Sequence, residues 1–160
     1  MPSFDITSEF NNQEVTNAID QMNREIINRY DFKDTNTSVS FANDTISLRS
    51  STEERLNAAD QVLREKFAKR NVSIKFLNNF NDEQTPSEAK REYKLKSGLD
   101  KEISKVIVKD LKEFSKKIQS SIQDESIRVS SKKRDELQDA ISFLKKKNYK
   151  VFLNYGNFRD

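Results

Sequence analysis

The apolar residues of this chain run through one succession of periods twice, and each pass reads strand, helix, strand, strand, helix, strand. In the first pass Phe4 and Ile6 alternate with Ser3, Asp5 and Thr7, as a half-buried strand does. Val15, Ala18, Ile19, Met22 and Ile26 then recur three and four apart, a helical stripe over about Asn12 to Arg29. Val39 and Phe41, a turn at Asn43-Asp44, and Ile46 and Leu48 predict a hairpin. Ser51 and Glu54 stand at capping-box spacing before Leu56, Ala59, Leu63 and Phe67, and Val72, Ile74 and Phe76 alternate as a closing strand. The second pass opens on Tyr93 and Leu95 alternating with Lys94 and Lys96. Asp100 is placed to cap a helix of Ile103, Val106, Ile107, Leu111 and Phe114. A hairpin follows from Ile118 to Val129 about Asp124-Glu125, then a helix of Leu137, Ala140, Ile141 and Leu144, then a strand of Tyr149, Val151 and Leu153. The pattern predicts an α+β protein of two ferredoxin-like βαββαβ units, each a four-stranded antiparallel sheet with two helices on one face. Residues 1–80 make the first unit, 81–90 a polar linker containing Pro86, and 91–160 the second, with the first strand free to pair in either unit.

This layout leaves one sheet face per unit uncovered, and composition favours binding over catalysis there. The chain has no His and no Cys, the side chains most used near neutral pH as base, nucleophile or transition-metal ligand. No disulfide framework or thiolate metal site can form, and with Gly98 and Gly156 the only glycines there is no glycine-rich phosphate loop. Asp, Glu, Lys, Tyr and Ser form no recognisable catalytic constellation, so no catalytic residue, metal site or cofactor is expected. The start Met1-Pro2-Ser3-Phe4-Asp5 lacks the features of a secretion signal and no run is long enough to span a membrane, which predicts a cytoplasmic protein. A net charge of +3 names no polyanionic partner by itself, so any anion site must be local.

One local site stands out. Lys132, Lys133 and Arg134 crowd the expected first turn of the last helix, where free amides and the helix dipole already carry positive charge. A phosphate would resolve that conflict, held by the amides, the Ser130 and Ser131 hydroxyls and the three cations. The competing reading is a solvated basic turn, since a chain with 29 Lys and Arg produces such triplets by chance. The open face of the second sheet is expected to carry Lys94, Lys96, Arg128 and Lys150 as phosphodiester contacts and Phe152 as a stacking surface. A solvated polar face is the alternative there. Neither hairpin carries the glycine-aromatic signature with which an RNA recognition motif stacks bases on its central strands.

Several blocks together resemble one family. They are Met1-Pro2-Ser3-Phe4-Asp5-Ile6, Asn23-Arg24-Glu25, Tyr30-Asp31-Phe32-Lys33, Lys94 to Asp100, Arg128 to Gln138 and Asn157-Phe158-Arg159-Asp160. In this order and over the full length, they resemble the YajQ family of small bacterial nucleotide-binding proteins. The resemblance implies two βαββαβ domains and ligands among ATP or GTP, tRNA and cyclic di-GMP, with no enzymatic activity. It favours anion binding at Lys132, Lys133 and Arg134, although Ser131 stands where the family pattern carries Gly, narrowing backbone access to a phosphate. The reading is a cytoplasmic nucleotide or nucleic-acid binder, with Lys94, Lys96, Arg128 and Lys150 as backbone-contacting cations on the open sheet or in the groove between the units, and Arg159 closing that groove. Two alternatives are a protein-interaction adaptor in transcription or stress response whose contacts nucleotide modulates, and a hydrolase using carboxylates with Mg²⁺.

Overall fold

Phe4 and Ile6 are fully buried, as their alternation requires, but the sheet that buries them is built from the end of the chain. The computed structural model describes residues 1–160. In chain order it forms β1 (Ser3–Thr7), α1 (Asn12–Asn28), β2 (Ser38–Ala42), β3 (Thr45–Ser50), α2 (Glu53–Lys69), β4 (Phe80–Thr85), β5 (Glu88–Lys94), α3 (Lys101–Phe114), β6 (Gln119–Gln123), β7 (Ser126–Ser130), α4 (Arg134–Lys147) and β8 (Asn154–Arg159). Two 3-10 turns, Tyr30–Phe32 and Ile74–Leu77, complete it. Two units result: residues 1–9 with 97–160, and residues 10–96.

The unit of 1–9 and 97–160 has the antiparallel strand order β6-β7-β1-β8. With α3 and α4 this is βαββαβ in ferredoxin-like order, the other unit being inserted between its first strand and its first helix. Phe4, Ile6, Ile127 and Val129 meet Ile107 and Leu111 of α3 and Leu137, Ala140, Ile141 and Leu144 of α4 in one core. Covering one face this way leaves Ser3, Asp5, Thr7, Ser126, Arg128 and Ser130 on the other, because side chains alternate along a strand. The inserted segment leaves and returns beside itself: the Gly98 amide donates to the Ser8 carbonyl at 2.6 Å, and the Leu99 amide to the Glu125 carbonyl at 2.9 Å. Gly98 has φ +95, a conformation that side chains rarely tolerate, so glycine fits the bend.

The unit of 10–96 has the order β2-β3-β5-β4, again antiparallel throughout. Its elements run αββαββ, a permuted ferredoxin-like unit in which β5 fills the central place of a first strand. All five apolar residues of the α1 stripe are buried. α1, α2 and α3 are each capped by a side chain: Asn11 accepts from the Glu14 amide, Thr52 from the Arg55 amide and Asp100 from the Ile103 amide. The α2 cap is thus Thr52, one residue beyond the expected Ser51.

Several local readings change. β1, left free to pair in either unit, pairs with the strands of the second half, while β5 lies in the sheet of the first half and residues 81–90, read as a linker, lie within the β4–β5 hairpin. Every residue of β4 is exposed, so it has no apolar alternation to read. Val72, Ile74 and Phe76 do not form a strand. Phe76 and Leu77 are buried in a 3-10 turn while Ile74 is 47% exposed. Tyr149, Val151 and Leu153 are half-buried residues leading into β8, which begins at Asn154.

Candidate functional site

Ser130 ends β7, and the chain must turn before α4 can start. The helix therefore begins at Arg134, with Lys133 extended as its N-cap and Lys132 ahead of it. Of the three cations expected in the first turn, Arg134 alone lies within the helix. Asp135 and Glu136 occupy that turn and complement the dipole, which relieves from inside the helix the charge conflict expected from sequence. α4 is nonetheless the one α-helix whose N-cap side chain accepts no amide. Its first amides face a cap that brings a cation instead of an acceptor.

The side chains around this turn divide into committed and open groups. Ser131 is fully buried, its hydroxyl donates to the Glu136 carboxylate, and its amide donates to the Pro2 carbonyl at 3.2 Å. Neither its hydroxyl proton nor its amide is left for a ligand. Arg134 pairs with Asp160. Lys132 and Lys133 are exposed and form no ion pair.

Strand register fixes what lies beside them. Ser130, Ser3 and Arg159 are aligned across β7, β1 and β8, at the end of the sheet from which the turn departs. Arg128, Asp5 and Gly156 are aligned in the next row of the same face. Arg128 donates to Asp5 through Nε at 3.1 Å and Nη2 at 3.5 Å, and Asn157 donates through Nδ2 at 2.6 Å. Burial pushes the Asp5 carboxyl up, but those hydrogen bonds and the charges of Arg128 and Arg159 outweigh it and hold it below its ordinary value. Arg128 is thus a neutralised cation, while Arg159 acts on Asp5 by charge alone. Gly156 has open space where a Cβ would stand, leaving backbone uncovered on this face.

The turn and the open face thus bring together Ser130, Ser131, Lys132, Lys133, Arg134, Arg159 and Arg128. The remaining candidates do not lie on this sheet face. Lys94 ends β5 and Lys96 follows it, both in the unit of residues 10–96 and not on the sheet of Arg128. That misplacement follows directly from assigning β5 to the wrong sheet. Lys150 and Phe152 precede β8, and the strand enters opposite Thr7, about 13 Å along β1 from the Ser3–Arg159 row. Both engage in interactions of their own. Sequence reasoning missed Asp5 and Asn157 as partners of Arg128, because β1 was free to pair in either half and the Asn157 bulge breaks the period of β8. No group of three or more Asp and Glu side chains is arranged to hold a metal ion, and no helix is long and apolar enough to cross a membrane.

Comparison with known proteins covers nearly the whole chain. A family model described as "Nucleotide-binding protein YajQ-like" matches residues 2–159. A "Nucleotide-binding protein" of Trichodesmium erythraeum is 44% identical over 159 residues, covering 98% of this chain and 97% of that protein. Proteins with the same description in Hahella chejuensis and Coxiella burnetii are each 38% identical, with both chains covered in full.

Proposed function

This chain belongs to the YajQ-like family of nucleotide-binding proteins, and from that premise we propose that it is a cytoplasmic, non-catalytic binder of nucleotide or nucleic-acid phosphate at the turn between β7 and α4. The observation that carries the reading is the pair Lys132 and Lys133, exposed and without carboxylate partners, at a helix start that no side chain caps. A phosphate there would accept from the amides that open α4 and lie between two cations, with Arg159 at the neighbouring row end. The Ser131 hydroxyl serves the turn by holding Glu136. Such contacts read phosphate and not base edges, so selectivity among sequences is weak. ATP, GTP, cyclic di-GMP and tRNA are the ligands to test. The non-catalytic part of the reading is supported by a chain without His or Cys, the side chains most used near neutral pH as base or nucleophile.

The test is a titration of GTP, cyclic di-GMP and tRNA against the native protein and a Lys132→Ala/Lys133→Ala variant at two salt concentrations. The native protein binds one of them, and the variant loses about tenfold or more. For tRNA the log-log salt slope falls by about 1.4 to 1.8, two phosphate contacts' worth. Equal affinity and equal slope in the two proteins would move the site away from this turn.

A further inference from the structure

The unit of residues 10–96 carries a second feature that the turn does not explain. Tyr30 is 88% exposed and Ile27 is 80% exposed, and both line a cavity of about 590 Å³ at the C-terminal end of α1. We propose that this cavity is a stacking subsite for an unpaired nucleobase, with Tyr30 as the platform. The inference rests on the nucleotide-binding reading above but concerns other residues. Single exposed apolar side chains are ordinary, yet here an aromatic and an aliphatic one border a hollow of the size that takes a small ligand.

The hollow is built before any ligand arrives. Arg29 is clamped by Glu25 at 3.1 Å and Asp31 at 2.8 Å, and its guanidinium lies 5.0 Å above the ring of Phe32. The Thr35 hydroxyl donates to the Phe32 carbonyl at 2.6 Å, and a hydroxyl chain runs on through Thr37 to Ser50. Asp34 and Asn36, both lining residues, sit in the left-handed region at φ 59 and φ 52. A loop so tied leaves little ordering for a ligand to impose.

The polar groups suit a base better than a phosphate. α1 ends without a basic residue in its last turn, and the carbonyls of Ile26, Ile27 and Asn28 receive no backbone N–H. They are acceptors for ring N–H and exocyclic amino groups, and the partial negative charge of a helix end disfavours an anion beside them. Lys33, exposed and without an ion pair, lines the same cavity and offers a cation to a phosphate lying outside. Asn36, whose amide makes no hydrogen bond within the protein, can both donate and accept. Base toward the carbonyls, ring against Tyr30 and phosphate toward Lys33 is the arrangement these groups favour.

The chain contains no Trp, so Tyr30→Trp installs a lone indole at a site exposed enough to leave the fold intact. AMP and single-stranded octaadenylate are the probes, with ribose 5-phosphate as the base-free control. The indole emission is expected to quench saturably with a base-bearing probe and not with the control. Quenching by AMP identifies a free nucleotide as sufficient, and quenching by the oligomer alone identifies a single strand. Tyr30→Ala, checked for an unchanged melting curve, is expected to weaken binding of the same probe about tenfold. Two results overturn the inference alone: nucleotide binding that depends on Lys132 and Lys133 without quenching at position 30, or unchanged affinity in Tyr30→Ala. Failure of the native protein to bind any nucleotide overturns this inference together with the reading it rests on.

Discussion

Replacing Lys133 by Asp should move stability and affinity in opposite directions. Lys133 is the N-cap of α4, at backbone angles of φ -123 and ψ 138 that suit a capping side chain, yet its own side chain accepts nothing. An aspartate there supplies the missing acceptor, worth about 1 kcal/mol, and favours the helix dipole by about 0.3 to 1 kcal/mol. Repulsion from Asp135 and Glu136 takes back a few tenths. The net gain of about 1 kcal/mol corresponds to a rise of about 4 °C or more in the melting of a unit this small. The same change turns a cation facing the proposed phosphate into an anion. At about 1 kcal/mol per charge pair near 4 Å in water, the swing is about 2 kcal/mol, or about 30-fold in affinity. Thermal melts and calorimetric titration with GTP on the same preparations read both effects. Higher stability with unchanged affinity would show that no phosphate sits at this cap, and lower stability would refute the view of Lys133 as a deficient cap.

Two further outcomes follow from the architecture and from Asp5. A fragment of residues 10–96 contains all four strands of its sheet and both helices, so it should fold by itself, whereas residues 1–80 lack β5, one of the two central strands, and all but the first residue of β4, and should not. Circular dichroism and amide dispersion of the two fragments decide this, and a folded 1–80 fragment would contradict the strand order. Asp5 has a lowered folded-state pKa, so its contribution is present above about pH 4 and is lost as the pH falls through the folded value. Asp5→Asn should therefore lower the melting temperature near neutrality and flatten its fall in acid, and melts from pH 7 to pH 2 that parallel those of the native protein would refute the role of Arg128 and Asn157.

Local elements were readable where burial imposes a period. The α1 stripe and the Asp100 cap formed as expected, and Asn43 and Asp44 both take left-handed conformations at the predicted turn. Where burial imposes no period the reading failed, as in the fully exposed β4 and in the turn of Ile74–Leu77. The placement of β1 and β5 was illegible for another reason. Alternation tells a strand which face to bury but not which partner to choose, and both strands bury two or more residues in whichever sheet accepts them. That choice changed the candidate face, because it set Asp5 opposite Arg128 and placed Lys94 and Lys96 in the other unit. The lysine pair at Lys132 and Lys133 was legible as charge, while the acidic residues that follow it and the buried hydroxyl of Ser131 gain their meaning only once the helix start is located.

A titration of isotopically labelled protein with GTP, followed by amide resonances, probes the turn most directly. Binding there shifts the amides of Lys133, Arg134 and Asp135 saturably and with one common dissociation constant. Shifts elsewhere in the chain, with those three resonances unmoved at saturation, would place the phosphate away from the start of α4.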